Sequence, residues 1–196
     1  MPLYFNNDDA ATKFYSEAQR TWVQPQNFTL NGCDRISLWF RGNPIAYEQV
    51  GTDGINLSGA GADIWGTSDQ FRYAYKKLTG NGSIIARVDS NGVGTNRWAK
   101  GGVMIRASVD PASVHAMTVV TGGDGGGGAF QWRPLAGVDS VGSDNTAGTT
   151  PIRPPYWVKI ERVGNTFTGS FSVDGQTWTP QGTPQDITMI DPILIG

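Results

Sequence analysis

Hydrophobic and polar residues alternate with a period of two through much of the chain, most clearly from Trp98 to Pro134 (WAKGGVMIRASVDPASVHAMTVVTGGDGGGGAFQWRP). Val103, Ile105 and Ala107 oppose Met104, Arg106 and Ser108, and Val109-Asp110-Pro111-Ala112 makes a turn. A second run, Val114 to Thr121, is apolar and β-branched. The tract Gly122 to Gly128 ends it, and Ala129-Phe130-Gln131-Trp132-Arg133 alternates again. Period-two runs punctuated by Pro, Asp and Gly predict three consecutive strands, with Val103, Ile105, Val119 and Phe130 facing the core.

The same pattern recurs on both sides. Ile36, Leu38 and Phe40 alternate with Ser37, Trp39 and Arg41 before Gly42-Asn43-Pro44. Val50 to Leu57 contains an Asp-Gly turn, and Gly59 to Gly66 reads as a loop. Phe71, Tyr73 and Tyr75 form one face of a strand, Ile84, Ala86 and Val88 one face of the next, and Thr79-Gly80-Asn81-Gly82 predicts a hairpin between them. Val138 to Pro155 reads as a long polar loop. Trp157 to Arg162 is a strand, Gly164-Asn165 a turn, and Phe167, Gly169, Phe171 and Val173 oppose Thr168, Ser170, Ser172 and Asp174. That polar face is expected to meet water or a ligand. Asp174-Gly175 predicts a further hairpin, returning through Thr177-Trp178-Thr179.

Composition narrows the class. The 27 glycines and 11 prolines among 196 residues leave no window of about 12 residues with uninterrupted helical periodicity. Charged residues make up 16%, against about 25% in an average soluble domain, and Asn, Gln, Ser and Thr supply the polar surface. The net charge of −2 disfavours nucleic acid, whose phosphates require a basic surface, and polybasic membrane docking. Lys76-Lys77 reads as a solvated strand end. No run of about 18 apolar residues predicts membrane insertion, and no signal peptide is recognised. One cysteine, Cys33, excludes an internal disulfide and a multi-cysteine metal site, and reads as a free buried thiol compatible with export, with an intermolecular bridge as the alternative; one histidine, His115, excludes a multi-histidine zinc site and disfavours a Ser-His-Asp triad. The chain opens in strand-like Leu3-Tyr4-Phe5 and stops in strand-like Ile193-Leu194-Ile195, which suggests a segment of a longer or processed protein.

Several motifs occur in a familiar order: Gly61-Ala62-Asp63-Ile64-Trp65, Phe71-Arg72-Tyr73-Ala74-Tyr75, Gly82 to Val88, Trp98 to Arg106, Phe130 to Arg133, Trp157 to Ile160, and Ser172 to Trp178. Residues 46–196 thereby resemble the concanavalin A-like, laminin-G-like jelly rolls of large secreted bacterial proteins, some found beside glycosidase domains. Residues 1–45 resemble the segment that often precedes such a domain, and read as an N-terminal β arm or the end of a preceding module. The resemblance implies an all-β, two-sheet antiparallel sandwich with no known catalytic function. It also implies further strand beyond Ile193-Leu194-Ile195-Gly196, so open sheet edges are expected, filled by residues 1–45 or by a neighbouring copy.

The chemistry fits a binding module. Glucanases of this fold carry paired carboxylates at alternate positions of one strand, and no strand here does: Asp8-Asp9 lies in a turn and Glu161 stands between Ile160 and Arg162. Ser172 to Trp178 is close to the Asp-box of sialidases but shorter between Asp and Gly, and reads as a hairpin turn with Trp178 over the core edge. The glycine tract lacks the Lys and helix of a phosphate loop and the repeats of a calcium β-roll, and reads as a hairpin tip. No cofactor is required; Ca2+ at the loop carboxylates Asp63, Asp69, Asp139 or Asp144 is a candidate, without a spaced ligand motif. Sugar binding needs an aromatic platform and planar polar groups, for which the candidates are Trp65, Trp98, Arg106, His115, Gln131, Trp132 and Arg133. Trp132 stands nearest the glycine tip, although most of the 7 tryptophans of such a sandwich cover its core. The expectation is a secreted or cell-surface module that binds polysaccharide or cell-surface glycan, or mediates adhesion. The alternative is a self-assembling subunit of a fibre or surface layer, with copies joined by strand complementation.

Overall fold

A computed structural model describes residues 47–92, 96–122, 127–144 and 152–196. The expectations for residues 1–45, for the tip at 123–126 and for 145–151 of the polar loop lie outside them. The chain divides into two compact units, Met1–Gly59 and Ala60–Gly196. In the first, β1 (Tyr47–Val50) and β2 (Gly54–Leu57) form a hairpin whose turn begins at Gly51, φ +65°.

The second unit is all-β and antiparallel, and the described residues contain no helix. Its strands are β3 (Ile64–Trp65), β4 (Ser68–Asp69), β5 (Lys76–Leu78), β6 (Gly82–Val88), β7 (Lys100–Arg106), β8 (His115–Thr121), β9 (Gly128–Arg133), β10 (Val141–Asp144), β11 (Tyr156–Val163), β12 (Thr166–Ser172), β13 (Thr179–Pro180), β14 (Gln185–Asp186) and β15 (Ile193–Ile195). One sheet has six strands in the order β10-β9-β8-β7-β15-β5. The other runs β13-β12-β11-β6, with β14 also on β12; β3 and β4 form a separate hairpin.

The sheets face each other as a sandwich. Val103, Ile105, Ala116, Val120 and Phe130 of one pack on Val158, Ile160, Phe167 and Phe171 of the other. Thr118 Oγ1 donates to the Lys159 carbonyl across the gap, at 2.9 Å. Gly169 permits the close approach: a Cβ there would stand 2.5 Å from Phe130 Cδ2 and 2.7 Å from Thr118 Oγ1.

The run Trp98 to Pro134 forms three adjacent strands as its alternation predicts, and Trp157 to Ser172 forms the pair β11–β12. Several local expectations are corrected. The alternating run Phe71 to Tyr75 is not a strand: β5 begins only at Lys76, and Phe71 and Tyr73 instead pack against the cluster of Met104, Met117, Val119 and Ala129. The Thr79 to Gly82 turn does not make a hairpin, because β5 joins β15 in one sheet while β6 joins β11 in the other. A latch holds this crossing: Asp191 Oδ2 accepts from Gly80 N (2.7 Å), and Arg162 Nη1 reaches the Gly80 carbonyl (3.2 Å) and Asp191 Oδ1 (2.5 Å). The segment Gly59 to Gly66 is not all loop, since Ile64-Trp65 pairs with Ser68-Asp69. The polar segment after Val138 contains β10, paired to β9. Val119 is buried, but on the face away from the other sheet, beside Met104, Met117 and Ala129. Ser170 and Ser172 are buried rather than presented to water, and the Ser172 hydroxyl accepts from the Gly175 amide in the following turn.

The last strand is not an open edge. β15 pairs with β7 on one side and β5 on the other. The Asp174 connection is a hairpin, as its sequence suggests, but residues 173–178 make the loop rather than a two-residue Asp174-Gly175 turn; Asp174 Oδ1 caps it, accepting from the amides of Gln176 and Thr177, both at 2.8 Å. Those two amides, with the Ser172 hydroxyl, hold the exposed Asp174 carboxyl down at about 2.

The Gly169 contact gives a direct test. Gly169→Ala pushes a methyl into Phe130 and Thr118 and is expected to cost about 1–3 kcal/mol in a urea unfolding titration. Gly175→Ala, at a turn glycine with φ +73°, strains the turn and leaves the inter-sheet gap as it is.

Candidate functional site

The face of the six-stranded sheet that turns away from the sandwich core carries an unusual row. Register pairs Leu194 with Arg106, Arg106 with His115, and His115 with Arg133. The next row is Met104, Met117, Gln131 and Gly142. Each strand offers every second residue to this face, so the two arginines and the histidine line up because 106, 115 and 133 share the parity of their strands. The segment from Ile64 to Tyr73 lies over the face, with Ile64, Phe71 and Tyr73 packed against Met104, Met117, Val119 and Ala129. Tyr73 donates its hydroxyl to the Met104 carbonyl at 2.9 Å, and burial raises its pKa.

Asp69, at the end of the β3–β4 hairpin, meets this row. Its Oδ1 accepts from Arg133 Nη2 at 2.6 Å, and its Oδ2 from Arg133 Nη1 at 2.8 Å and Arg106 Nη1 at 3.2 Å. The Arg133 contact is a two-pronged guanidinium–carboxylate pair, the strongest geometry available to these groups. The side chains of Asp69 and Arg133 are 0% exposed and that of Arg106 is 1% exposed. Two cations face one anion, and the remaining donors are met by backbone carbonyls. Arg106 Nε and Nη2 reach Ser108 O and Asp110 O, both at 2.6 Å. Arg133 reaches Gly66 O (2.9 Å), Val138 O (3.0 Å), Ser113 O (3.1 Å) and Pro111 O (3.2 Å). Arg106 also lies over the Phe71 ring, 5.1 Å from its centroid. Burial lowers the Arg106 pKa, and Asp69 opposes that shift. His115 sits between the arginines, its Nδ1 3.5 Å from Asp69 Oδ2. Burial is the main cause that takes its pKa down to about 4, so the ring is neutral at pH 7.

The cluster therefore fastens three loops to one another: the hairpin tip at Gly66, the β7–β8 connection at 107–114, and the β9–β10 connection at 134–140. Backbone bonds complete the tie, with Asp69 N donating to Pro111 O (2.9 Å), Ser140 N to Gly66 O (2.8 Å) and Gly137 N to Ala112 O (2.9 Å).

The seven candidate residues fall into three groups. Arg106, His115, Gln131 and Arg133 are brought together as neighbours, but all are buried, the first, second and fourth against Asp69 of the Ile64–Tyr73 segment. Trp132 is half-buried on the opposite face, its ring 5.1 Å from that of Phe130 in the sandwich core. Trp65 and Trp98 remain at the surface, 44% and 40% exposed. The segments that carry them are joined by an ion pair of Lys100 Nζ with Asp63 Oδ1. Trp65 stands at the tip fastened by Asp69, and Arg97 lies 5.4 Å from the Trp98 centroid.

Asp69 is the residue that the sequence pattern missed in this role. It stood only among the calcium candidates, whereas here both its oxygens are taken up by guanidinium groups. The signal was the parity itself: Arg106, His115 and Arg133 on one face of consecutive strands need a buried counter-charge if that face is covered. Among the described residues no three His, Cys, Asp or Glu side chains gather as a metal site, and no helix is long and apolar enough to cross a membrane.

No family model matches the chain, and neither a curated protein nor a solved structure does.

Removing one partner of a buried ion cluster leaves charge uncompensated. Asp69→Ala is expected to lower the unfolding free energy by about 3–5 kcal/mol, measured in denaturant, while Asp174→Ala at the exposed turn lowers it much less. His115 makes stability depend on pH. Its folded pKa of about 4 lies below its ordinary 6.5, so between these values the unfolded chain binds more protons. Its contribution is complete above pH 6.5 and declines as pH falls toward 4, by at most about 1.4 kcal/mol per pH unit. His115→Gln is expected to flatten the pH 6.5–4 limb of a stability profile and leave the decline below pH 4, where the carboxylates titrate.

Proposed function

We propose that the chain carries a non-catalytic, concanavalin A-like and laminin-G-like jelly-roll module that binds polysaccharide or cell-surface glycan outside the cell, serving recognition or adhesion. The observation that carries this reading is the pair of exposed tryptophans, Trp65 and Trp98, on segments tied together by Lys100 and Asp63. An indole face accepts the apolar face of a pyranose, and a platform fixed in advance loses little entropy on binding. Asp63 and Asn96 lie beside the tryptophans in sequence, and Asn96 Oδ1 already accepts from Trp98 N at 2.8 Å. The reading gives Asp69, Arg106 and His115 no part in chemistry, because each is enclosed. It requires no cofactor, and calcium enters only as a variable in the binding test. Low charge and a surface rich in Ser, Thr, Asn and Gln support export. They also argue against nucleic acid as the partner.

A second reading, assembly of copies into a fibre or surface layer by strand addition, draws on β6. This seven-residue strand ends its sheet, pairs only with β11 among the described residues, and exposes Ile85. Sedimentation velocity separates the two: a monomer at all concentrations speaks against assembly.

On a glycan array with and without calcium, followed by titration of a retained polysaccharide, Trp65→Ala and Trp98→Ala are each expected to weaken binding about tenfold, equivalent to about 1.4 kcal/mol, with an unchanged melting temperature. Trp132→Ala is expected to lower the melting temperature instead. No retained glycan, or binding indifferent to both exposed tryptophans, would overturn the reading.

A further inference from the structure

Among the described residues, three buried polar side-chain atoms find no protein partner: His115 Nε2, Gln131 Oε1 and Ser140 Oγ. Their residues are 0%, 6% and 3% exposed. They are also neighbours. Gln131 shares its strand and its face with Arg133, and stands diagonal to His115, which pairs with Arg133. On the other side, Gln131 pairs with Gly142, where a Cβ would come 2.8 Å from Gln131 Cγ. Ser140 directly precedes β10, and its amide donates to the Gly66 carbonyl that Arg133 Nη2 also reaches. The three residues thus flank Arg133: Gln131 on its own strand, His115 on β8, and Ser140 just ahead of β10 on the other side.

We propose that His115, Gln131 and Ser140 form a closed internal site for one water molecule beneath the tip that carries Trp65. The donor–acceptor inventory selects the occupant. Gln131 Oε1 only accepts, the Ser140 hydroxyl does both, and His115 Nε2 donates or accepts according to its tautomer. Water offers two donors and two acceptors, so it serves all three atoms in either tautomer. Buried waters commonly bridge about three such groups. Chloride answers the surplus positive charge of Arg106 and Arg133, but it cannot donate to Gln131 Oε1. A metal cation would stand beside two guanidinium groups that exceed their single carboxylate. The occupant is therefore small, neutral and able to donate, and it completes the hydrogen bonding that seats the tip on the sheet.

The site is independent of any glycan. Crystals of the full chain soaked in bromide, together with water–protein nuclear Overhauser spectra in solution, test it. The expected result is one density peak within hydrogen-bonding distance of all three atoms, without bromide anomalous signal, and a long-lived water cross-peak to the neighbouring amides. Gln131→Met is expected to abolish that cross-peak, and the milder Ser140→Ala to weaken it. A bromide peak at the site assigns an anion and overturns the proposal. A direct His115 Nε2–Gln131 Oε1 bond with no peak overturns it as well.

Discussion

A carboxylate enclosed with two guanidinium groups is costly to bury and costly to separate, and the Ala60–Gly196 unit is built around one such group, Asp69. Transfer of the three charges out of water is offset only while Asp69 stays within reach of Arg133 and Arg106, and while the surplus donors find carbonyls. Those carbonyls belong to loops distant in sequence: Gly66, Ser108, Asp110, Pro111, Ser113 and Val138. The requirement to satisfy the arginines therefore dictates where the loops lie. A hairpin with two short strands, marginal by itself, becomes a fixed part of the sheet surface. The exposed Trp65 inherits its position from that arrangement.

Arg162 repeats the device at the crossing between sheets, with less burial of its partner. It binds Asp191, the Met189 and Gly164 carbonyls and the Gly80 carbonyl, and so joins the β5–β6 crossing and the β11–β12 turn to the segment that leads into β15. Its carboxylate is more open to solvent than Asp69, with a side chain 32% exposed, and the pair is correspondingly more screened. The Arg162 hydrogen bond is the main cause that lowers the Asp191 pKa. In both places an arginine on a strand gathers backbone from several turns.

Much of the strand content was legible in the sequence because alternation reports local geometry. β7, β8, β9, β11 and β12 follow from it directly. Alternation says less about which sheet a strand joins. Thr79-Gly80-Asn81-Gly82 has the composition of a hairpin turn, yet it crosses the sandwich because Asp191, over a hundred positions away, caps Gly80. Alternation also separates two faces without saying that both are covered. β8 is buried along its whole length, so Val119 faces a second apolar cluster and the polar row at 106, 115 and 133 faces an interior. Of the seven candidates for sugar contact, Arg106, His115, Gln131 and Arg133 are buried, Trp132 is half-buried, and Trp65 and Trp98 are exposed.

The central claim is that the Asp69 cluster, rather than the short hairpin ladder, fixes the tip that carries Trp65. Native-state hydrogen exchange on the wild type and on Asp69→Asn reads this residue by residue. The account predicts that the amides of Asp69, Gln70 and Ser140, bonded to Pro111, Asp63 and Gly66, are as protected in the wild type as those of β8. In Asp69→Asn they should exchange much faster, while the β11–β12 ladder keeps its protection. Free exchange of these amides in the wild type, or full protection in the variant, would contradict it.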